Sequence, residues 1–218
     1  MQAIDRPLER YARLGLWGLV VWALGLLVGT WNHQPAPQTD LAAWSRFVTT
    51  TEFLISHLVA SILGAGFGVL GMVALAVLLV SRGSVRLGVS ALVMGVIGNT
   101  LLTSVFGIAA YAQPAIGRLY LSGRHALAQS LYYDAAQGTP MVIMAVLGIV
   151  LLVTSVILFG VAVGRSAWLP RLAGVGLAVA GPVTFLVGFI FDNWIQSVGS
   201  ALLVVSTAWI AIAVRGER

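Results

Sequence analysis

Three ionisable side chains in this sequence could carry proton-transfer chemistry. Glu52 and Asp192 are carboxyl groups at the borders of apolar stretches, and His57 lies a few residues inside one of them. A carboxyl group can act as general acid or base, and an imidazole can carry protons. Ionisable groups within a membrane are costly and often functional. Glu52, His57 and Asp192 are therefore the candidate catalytic residues.

Four uncharged polar residues could bind a ligand beside them. Asn99, Thr103, Thr184 and Gln196 each interrupt or open an apolar stretch. Amides and hydroxyls orient small molecules by hydrogen bonding, and the same groups also bridge neighbouring helices in membranes. Under the first interpretation, we expect them to converge with the ionisable groups in a polar pocket that opens on the outer side.

Helix capping is the alternative role for several of these residues. Thr49-x-x-Glu52 has the spacing of a capping box, in which the threonine hydroxyl accepts from a backbone amide and the glutamate reaches back. Asn193-x-x-Gln196 follows the same pattern with asparagine as the cap. Asp192 could equally cap its helix or face solvent. Capping would leave none of these groups for chemistry.

No cofactor or metal site is expected. The three histidines are dispersed (His33, His57 and His125), and only His57 falls at membrane depth, where haem ligation usually uses two. The chain has no cysteine and no lysine, which excludes thiolate metal sites and a retinal Schiff base. No metalloprotease, nucleotide-binding or serine-nucleophile motif occurs.

The composition indicates a membrane protein. Hydrophobic residues make up 59% of the 218-residue chain and charged residues only 9%, whereas soluble domains average about 25% charged residues. The twelve arginines are scattered singly and in pairs, which is the wrong distribution for a nucleic-acid surface. We therefore expect membrane lipids as partners, with a hydrophobic ligand or another membrane protein, and no nucleic acid.

Six apolar stretches are each long enough to cross about 30 Å of hydrocarbon as a helix. The sequence thus predicts an all-α, six-helix transmembrane bundle that forms a single integral membrane domain over residues 1–218. The predicted helices cover residues 14–31, 53–80, 87–111, 141–164, 172–191 and 195–214.

The arginines predict the orientation of this bundle. Nine lie on the side that carries both termini, whereas only Arg46, Arg118 and Arg124 lie on the other. Cytoplasmic loops are enriched in arginine, so both termini are expected in the cytoplasm of a multi-pass protein of the cell membrane. On the outer side, residues 40–48 and 115–137 read as amphipathic interfacial helices, the second with a break at Gly117 or Gly123.

Small residues predict how the helices pack. Small residues recur at four-residue spacing in the second and third apolar stretches, with Gly64 and Gly68 in the second, and the fifth also carries several: Gly174, Ala178, Gly181 and Gly188. Such stripes let helix backbones approach closely in lipid. We expect these three helices to form the tight core of the bundle; the alternative is that the small residues line a cavity.

One passage resembles known proteins. Residues 165–176, Arg-Ser-Ala-Trp-Leu-Pro-Arg-Leu-Ala-Gly-Val-Gly, are similar to a turn that recurs in small bacterial multi-helix membrane proteins of unknown function, whose hydropathy layout is also similar. The resemblance implies a polytopic protein of the bacterial inner membrane. It implies no activity and no functional residue.

Three functions are compatible with these features. The first is a non-catalytic bundle that binds a lipid, a small hydrophobic ligand or a partner protein through the outward pocket. The second is an intramembrane enzyme that acts on a lipid-soluble substrate by acid–base chemistry, with Asn99 as a hydrogen-bond donor. The third is a small transporter, because Pro182 beside Gly181 could break the fifth helix near its middle.

Overall fold

The computed structural model describes residues 5–31, 35–36, 38–191 and 193–216, and all regular structure in these ranges is helical. This confirms the predicted all-α fold. In chain order the helices are α1 (Leu8–Gly29), α2 (Leu41–Val48), α3 (Thr51–Ser81), α4 (Val85–Leu121), α5 (His125–Leu131), α6 (Thr139–Arg165), α7 (Arg171–Val187) and α8 (Asn193–Gly216).

Five of these helices are long and apolar enough to cross a membrane: α1, α3, α4, α6 and α8. The helix α7 is also apolar but is shorter than these five helices. A helical turn, Gly188–Phe191, follows it directly. The first helix is continuous from Asp5 apart from one interrupted residue, Leu16. The composition predicted a membrane protein, and several helices of the structure could indeed span a membrane.

The long helices form a closed ring. Each of α1, α3, α4, α6, α7 and α8 packs against the next in that order, and α8 returns to pack against α1. The most extensive contact joins α4 to α6, and α7 packs mainly between α6 and α8. The predicted core of the second, third and fifth helices is therefore wrong: their small residues serve pairwise contacts around the ring.

The two ends of the ring differ, and we name them by their residues. The arginine end carries the α3–α4 and α6–α7 turns with Arg82, Arg86, Arg165 and Arg171, and Arg82 stacks over the Trp168 ring at 4.0 Å. The capped end carries α2, the last turns of α4, and α5. A separate apolar cluster centred on Trp44 forms there.

The half of the ring nearer the arginine end has a filled interior. Met72 and Leu75 of α3 are fully buried there. Ser155 of α6 is also buried and donates a hydrogen bond to the Ala91 carbonyl of α4 at 2.6 Å. Helices in lipid associate through such close packing and interhelical hydrogen bonds rather than through hydrophobic exclusion.

The capped end is built by α2 against the end of α4. Asp40 caps α2, because its Oδ1 accepts from the Ala43 amide at 2.8 Å. Trp44 is fully buried and meets the Tyr132 ring edge-on at 5.1 Å. A Cβ on Gly117 would lie 2.8 Å from Val48, so this glycine permits close packing rather than a break.

The helix α4 is longer than the sequence predicted. The apolar stretch ends at residue 111, but the helix continues to Leu121. The chain then reverses at Gly123, whose φ of +88° is one that side chains with a Cβ rarely adopt. Of the two breaks that the sequence allowed, the one at Gly123 occurs.

In the part of the chain that the structure describes, four segments are π-helical, and all four lie toward the capped end: Ser56–Leu63, Ile108–Ala112, Tyr132–Ala136 and Val183–Val187. π-Helical turns are rare in proteins, and those that occur are often found at functional sites. The last of them follows Pro182, which has no N–H to bond the preceding turn. The helix widens directly after this residue instead of ending.

Candidate functional site

A cavity of about 370 Å³ occupies the interior of the ring on the side of the capped end. Its walls come from α1, α3, α4, α6, α7 and α8, with Phe47 of α2 above them. Most of the wall is apolar, including Leu102, Phe106 and Ile149. Glu52 lines the cavity and is also exposed at the surface, so the cavity has an entrance beside this carboxylate.

Four of the seven residues that the sequence singled out line this cavity. They are Glu52 and His57 of α3, Thr184 of α7 and Gln196 of α8. Three helices that are far apart in sequence thus bring their polar groups to one space. The seventh residue, Asp192, lies outside the residues that the structure describes.

Asn99 and Thr103 do not line the cavity. The Asn99 Nδ2 donates to the Ala65 carbonyl of α3 at 2.7 Å, and Asn99 is almost fully buried. The Thr103 Oγ1 donates to the Asn99 carbonyl one turn back at 2.7 Å. Of the two roles that the sequence allowed for Asn99, the structure has the helix bridge.

His57 is held by its own helix through one ring nitrogen. Its Nδ1 lies 2.9 Å from the Phe53 carbonyl oxygen, and its ring lies 4.1 Å from the Phe53 ring. A carbonyl oxygen can only accept, so we assign a proton to Nδ1. The Nε2 has no partner among residues 5–31, 35–36, 38–191 and 193–216, and it is the nitrogen that a ligand in the cavity can reach.

The predicted capping box at Glu52 does not form. The cap of α3 is Thr50, whose Oγ1 accepts from the Phe53 amide at 3.2 Å. The Thr49 hydroxyl instead donates to the Ser45 carbonyl at 2.9 Å, within the last turn of α2. Because the helix starts one residue later than the pattern implied, Glu52 is out of register with the cap. Its carboxylate makes no ion pair with a described residue.

Thr184 brings an unpaired hydroxyl to the cavity wall. Thr184 is fully buried, and its Oγ1 has no hydrogen-bond partner in the described part of the chain. A buried hydroxyl without a partner costs about 1–3 kcal/mol. Gly199 of α8 packs against this residue so closely that a Cβ there would lie 2.6 Å from the Thr184 amide nitrogen. The hydroxyl oxygen also lies against Gly199, so it is buried in the contact between α7 and α8.

Sequence reasoning missed the serines on the same wall. Ser56 and Ser61 both line the cavity although they are five residues apart. In an α-helix this spacing separates two side chains by more than a third of a turn, whereas a π-helix brings them to one face. No residue pattern in an apolar stretch announces a π-helical turn, so the sequence offered no signal for this pair.

Comparison of the chain with protein families, curated proteins and solved structures finds no match. The chemistry of the site must therefore be inferred from its own groups. These are one carboxylate, one imidazole, hydroxyls and one amide. No three histidine, cysteine or acidic side chains in the described ranges lie close enough to hold a metal ion.

Proposed function

We propose that this chain is a six-span protein of the cell membrane that binds a small amphiphilic ligand in the cavity, with both termini in the cytoplasm. The sixth span would be α7 together with the turn that follows it. The excess of arginine at the arginine end supports this orientation, because cytoplasmic loops are enriched in arginine. The capped end, with α2 and α5, would then lie at the outer membrane surface.

The observation that carries the binding function is the cavity itself. Polar residues of α3, α7 and α8 line one cavity, and the rest of its wall is mostly apolar. Its volume of about 370 Å³ falls within the range of about 300–1,000 Å³ that small-molecule sites occupy. A site with apolar walls and a few converging polar groups is suited to a ligand that has one polar end and an apolar body.

The orientation can be tested cleanly because the chain contains no cysteine. Single cysteines would be placed at Ser81 and Gly216 of the arginine end and at Ser122 of the capped end, all three exposed. In intact cells, a membrane-impermeant maleimide should label Ser122→Cys alone. Lysis should make the other two reactive. Labelling of Ser81→Cys or Gly216→Cys in intact cells would contradict the proposed orientation.

The binding function is tested by native mass spectrometry of the protein released from membranes. Ala145 lines the cavity, whereas Gly66 has no atom within 4 Å of an added Cβ. The wild type and Gly66→Ala should retain a bound small molecule, and Ala145→Trp should lose it by filling the space. A wild type without bound mass, or equal retention in Ala145→Trp, would contradict the proposal.

Acid–base catalysis on a lipid-soluble substrate is the second candidate function. It is favoured by one observation, the free Nε2 of His57 in the same cavity as Glu52. In that case, lipid extracts incubated with the protein should contain a product that both Glu52→Gln and His57→Gln abolish. Extracts identical with and without protein would leave binding as the function.

A further inference from the structure

We infer that the ligand of the cavity carries a positively charged nitrogen, which lies beside Glu52 while its apolar body extends toward Leu102 and Ile149. This inference rests on the proposed binding function and names its ligand class. It follows from the charges, the aromatic rings and the free hydrogen-bonding groups of the cavity wall.

The first argument is charge. Glu52 is the one residue with a formal charge among the described residues that line the cavity. Its side chain is in the first turn of α3, where the helix dipole stabilises a negative charge. No arginine in those ranges lines the cavity, so an anionic head group would meet a carboxylate and no cation. A cationic head group would meet its counter-ion.

The second argument is the aromatic cluster at the same entrance. The rings of Phe47 and Phe53 lie 5.6 Å apart edge to face, and the Phe53 ring lies on that of His57. All three residues line the cavity. Aromatic faces attract ammonium groups, most strongly where water is excluded. A cavity lined by both a carboxylate and phenylalanine rings is suited to an amine or a quaternary ammonium group.

The third argument concerns the space beyond the entrance. Gln196 of α8 lines the cavity and is partly exposed. Its amide can bond a hydroxyl, ether or carbonyl of the ligand near its charged end. Leu102, Phe106 and Ile149 complete the wall with apolar surface, which suits an alkyl or aromatic body.

The test uses three probes with the same chain and different head groups: octyltrimethylammonium, octanol and octyl sulfate. Binding to the full-length protein is measured by calorimetry in nanodiscs of zwitterionic lipid, so that the lipid charge does not bias the result. We expect the cation to bind about fivefold more tightly than octanol, as one partly exposed charge pair would give. Octyl sulfate should bind most weakly.

Two substitutions locate the preference. Glu52→Gln should reduce cation affinity to that of octanol and leave octanol binding unchanged. Asp134→Asn is the control, because it removes an exposed carboxylate that does not line the cavity. It should leave all three affinities unchanged. Thermal unfolding of both variants, expected at the wild-type temperature, shows that the folds are intact.

The outcomes separate this inference from the proposed function. Equal affinities for the three probes, or a cation preference that survives Glu52→Gln, would overturn the inference about charge and leave the binding function standing. Binding of no probe, or binding that Ala145→Trp does not reduce, would overturn both. Tighter binding of octyl sulfate than of octyltrimethylammonium would overturn the inference outright.

Discussion

The halves of the ring nearer the arginine end and nearer the capped end share the same helices but differ in how their interior is used. Toward the arginine end, regular α-helical turns close on buried side chains such as Met72, Leu75 and Ser155. Toward the capped end, α3, α4 and α7 each contain a π-helical segment, and a cavity replaces the core. A continuous helix can therefore provide packing along one part of its length and a binding wall along another.

A close backbone contact between α4 and α6 gives the largest expected effect. A Cβ on Gly98 of α4 would lie 2.7 Å from the Leu152 amide nitrogen and 2.9 Å from the Gly148 carbonyl oxygen of α6. Backbone atoms cannot move aside as a side chain can. Gly98→Leu should destabilise the protein by about 3 kcal/mol or more, measured as the loss of helical circular dichroism on heating in detergent.

Gly66→Leu is the matched control for this prediction. This glycine is exposed, and nothing lies within 4 Å of an added Cβ. Its unfolding temperature should equal that of the wild type. If Gly98→Leu and Gly66→Leu unfold at the same temperature, the contact between α4 and α6 is not held by close backbone packing.

Substitution of Gly68 should have a smaller effect on stability and should also affect the ligand cavity. A Cβ there would lie 2.9 Å from the Trp22 ring, which in turn stacks on Phe185 of the cavity wall at 5.9 Å. Gly68→Ala should cost about 1–3 kcal/mol and should also weaken octyltrimethylammonium binding, because the displaced ring presses on Phe185.

The comparison residue for Gly68 lies one helical turn earlier. At Gly64, an added Cβ would meet only the Val59 carbonyl of its own helix, at 3.7 Å. Gly64→Ala should change neither unfolding nor binding, although the sequence treated both glycines as packing residues. A loss of stability in Gly64→Ala as large as that in Gly68→Ala would contradict this distinction.

Two hydroxyls, one in each half, should respond in opposite ways. The Ser155 Oγ bonds the Ala91 carbonyl, so Ser155→Ala should lower stability by about 0.6 kcal/mol, a typical value for such bonds in membranes, without changing ligand affinity. The Thr184 Oγ1 has no described partner and is buried against α8, so Thr184→Val should keep or raise stability, also without changing ligand affinity. Reduced stability in Thr184→Val would show that its hydroxyl is already used.

The smallest effect concerns alkaline pH at the capped end. Burial raises the pKa of the Tyr132 phenol above its usual value of 10, against a hydrogen bond with Gln137 that lowers it, and Tyr133 raises it further. Because the folded protein favours the neutral phenol, this stability is complete below pH 10 and is lost as the pH rises through the folded pKa. The unfolding temperature should therefore fall in that range.

Replacing the phenol shows whether this residue is the source. Tyr132→Phe should unfold at a temperature that depends less on pH above 10 than the wild type. The exposed Tyr111 provides the control variant Tyr111→Phe, which should behave as the wild type. Absorbance of the phenolate reports ionisation directly. An identical alkaline loss in wild type and Tyr132→Phe would assign the effect to another group.

The sequence predicted those features of the fold and the site that follow from the polarity of the side chains along the chain. It placed α3, α6, α7 and α8 within a few residues, although α1 begins earlier and α4 ends later than predicted, and it anticipated the short helix Leu41–Val48. It also identified Glu52, His57, Thr184 and Gln196, because polar residues in apolar stretches are conspicuous. Each of these features can be found from a single stretch of chain.

The features that the sequence did not predict depend on contacts between stretches or on the local helical pitch. Small-residue stripes exist in most of the helices, so their spacing could not show that α4 pairs with α6 rather than with α7. The π-helical turns that bring Ser56 and Ser61 together have no residue signature. The cap of α3 was ambiguous because three threonines, Thr49 to Thr51, follow one another.

The contact between α8 and α1 has a consequence for synthesis. The hydroxyl of Ser197 on α8 donates to the Thr30 carbonyl at 3.2 Å, and Arg215 lies over the Trp17 ring. The helix α1 thus receives its second neighbour only after α8 has been synthesised and inserted. A ligand pocket that needs Leu26 of α1 and Gln196 of α8 cannot form before that point.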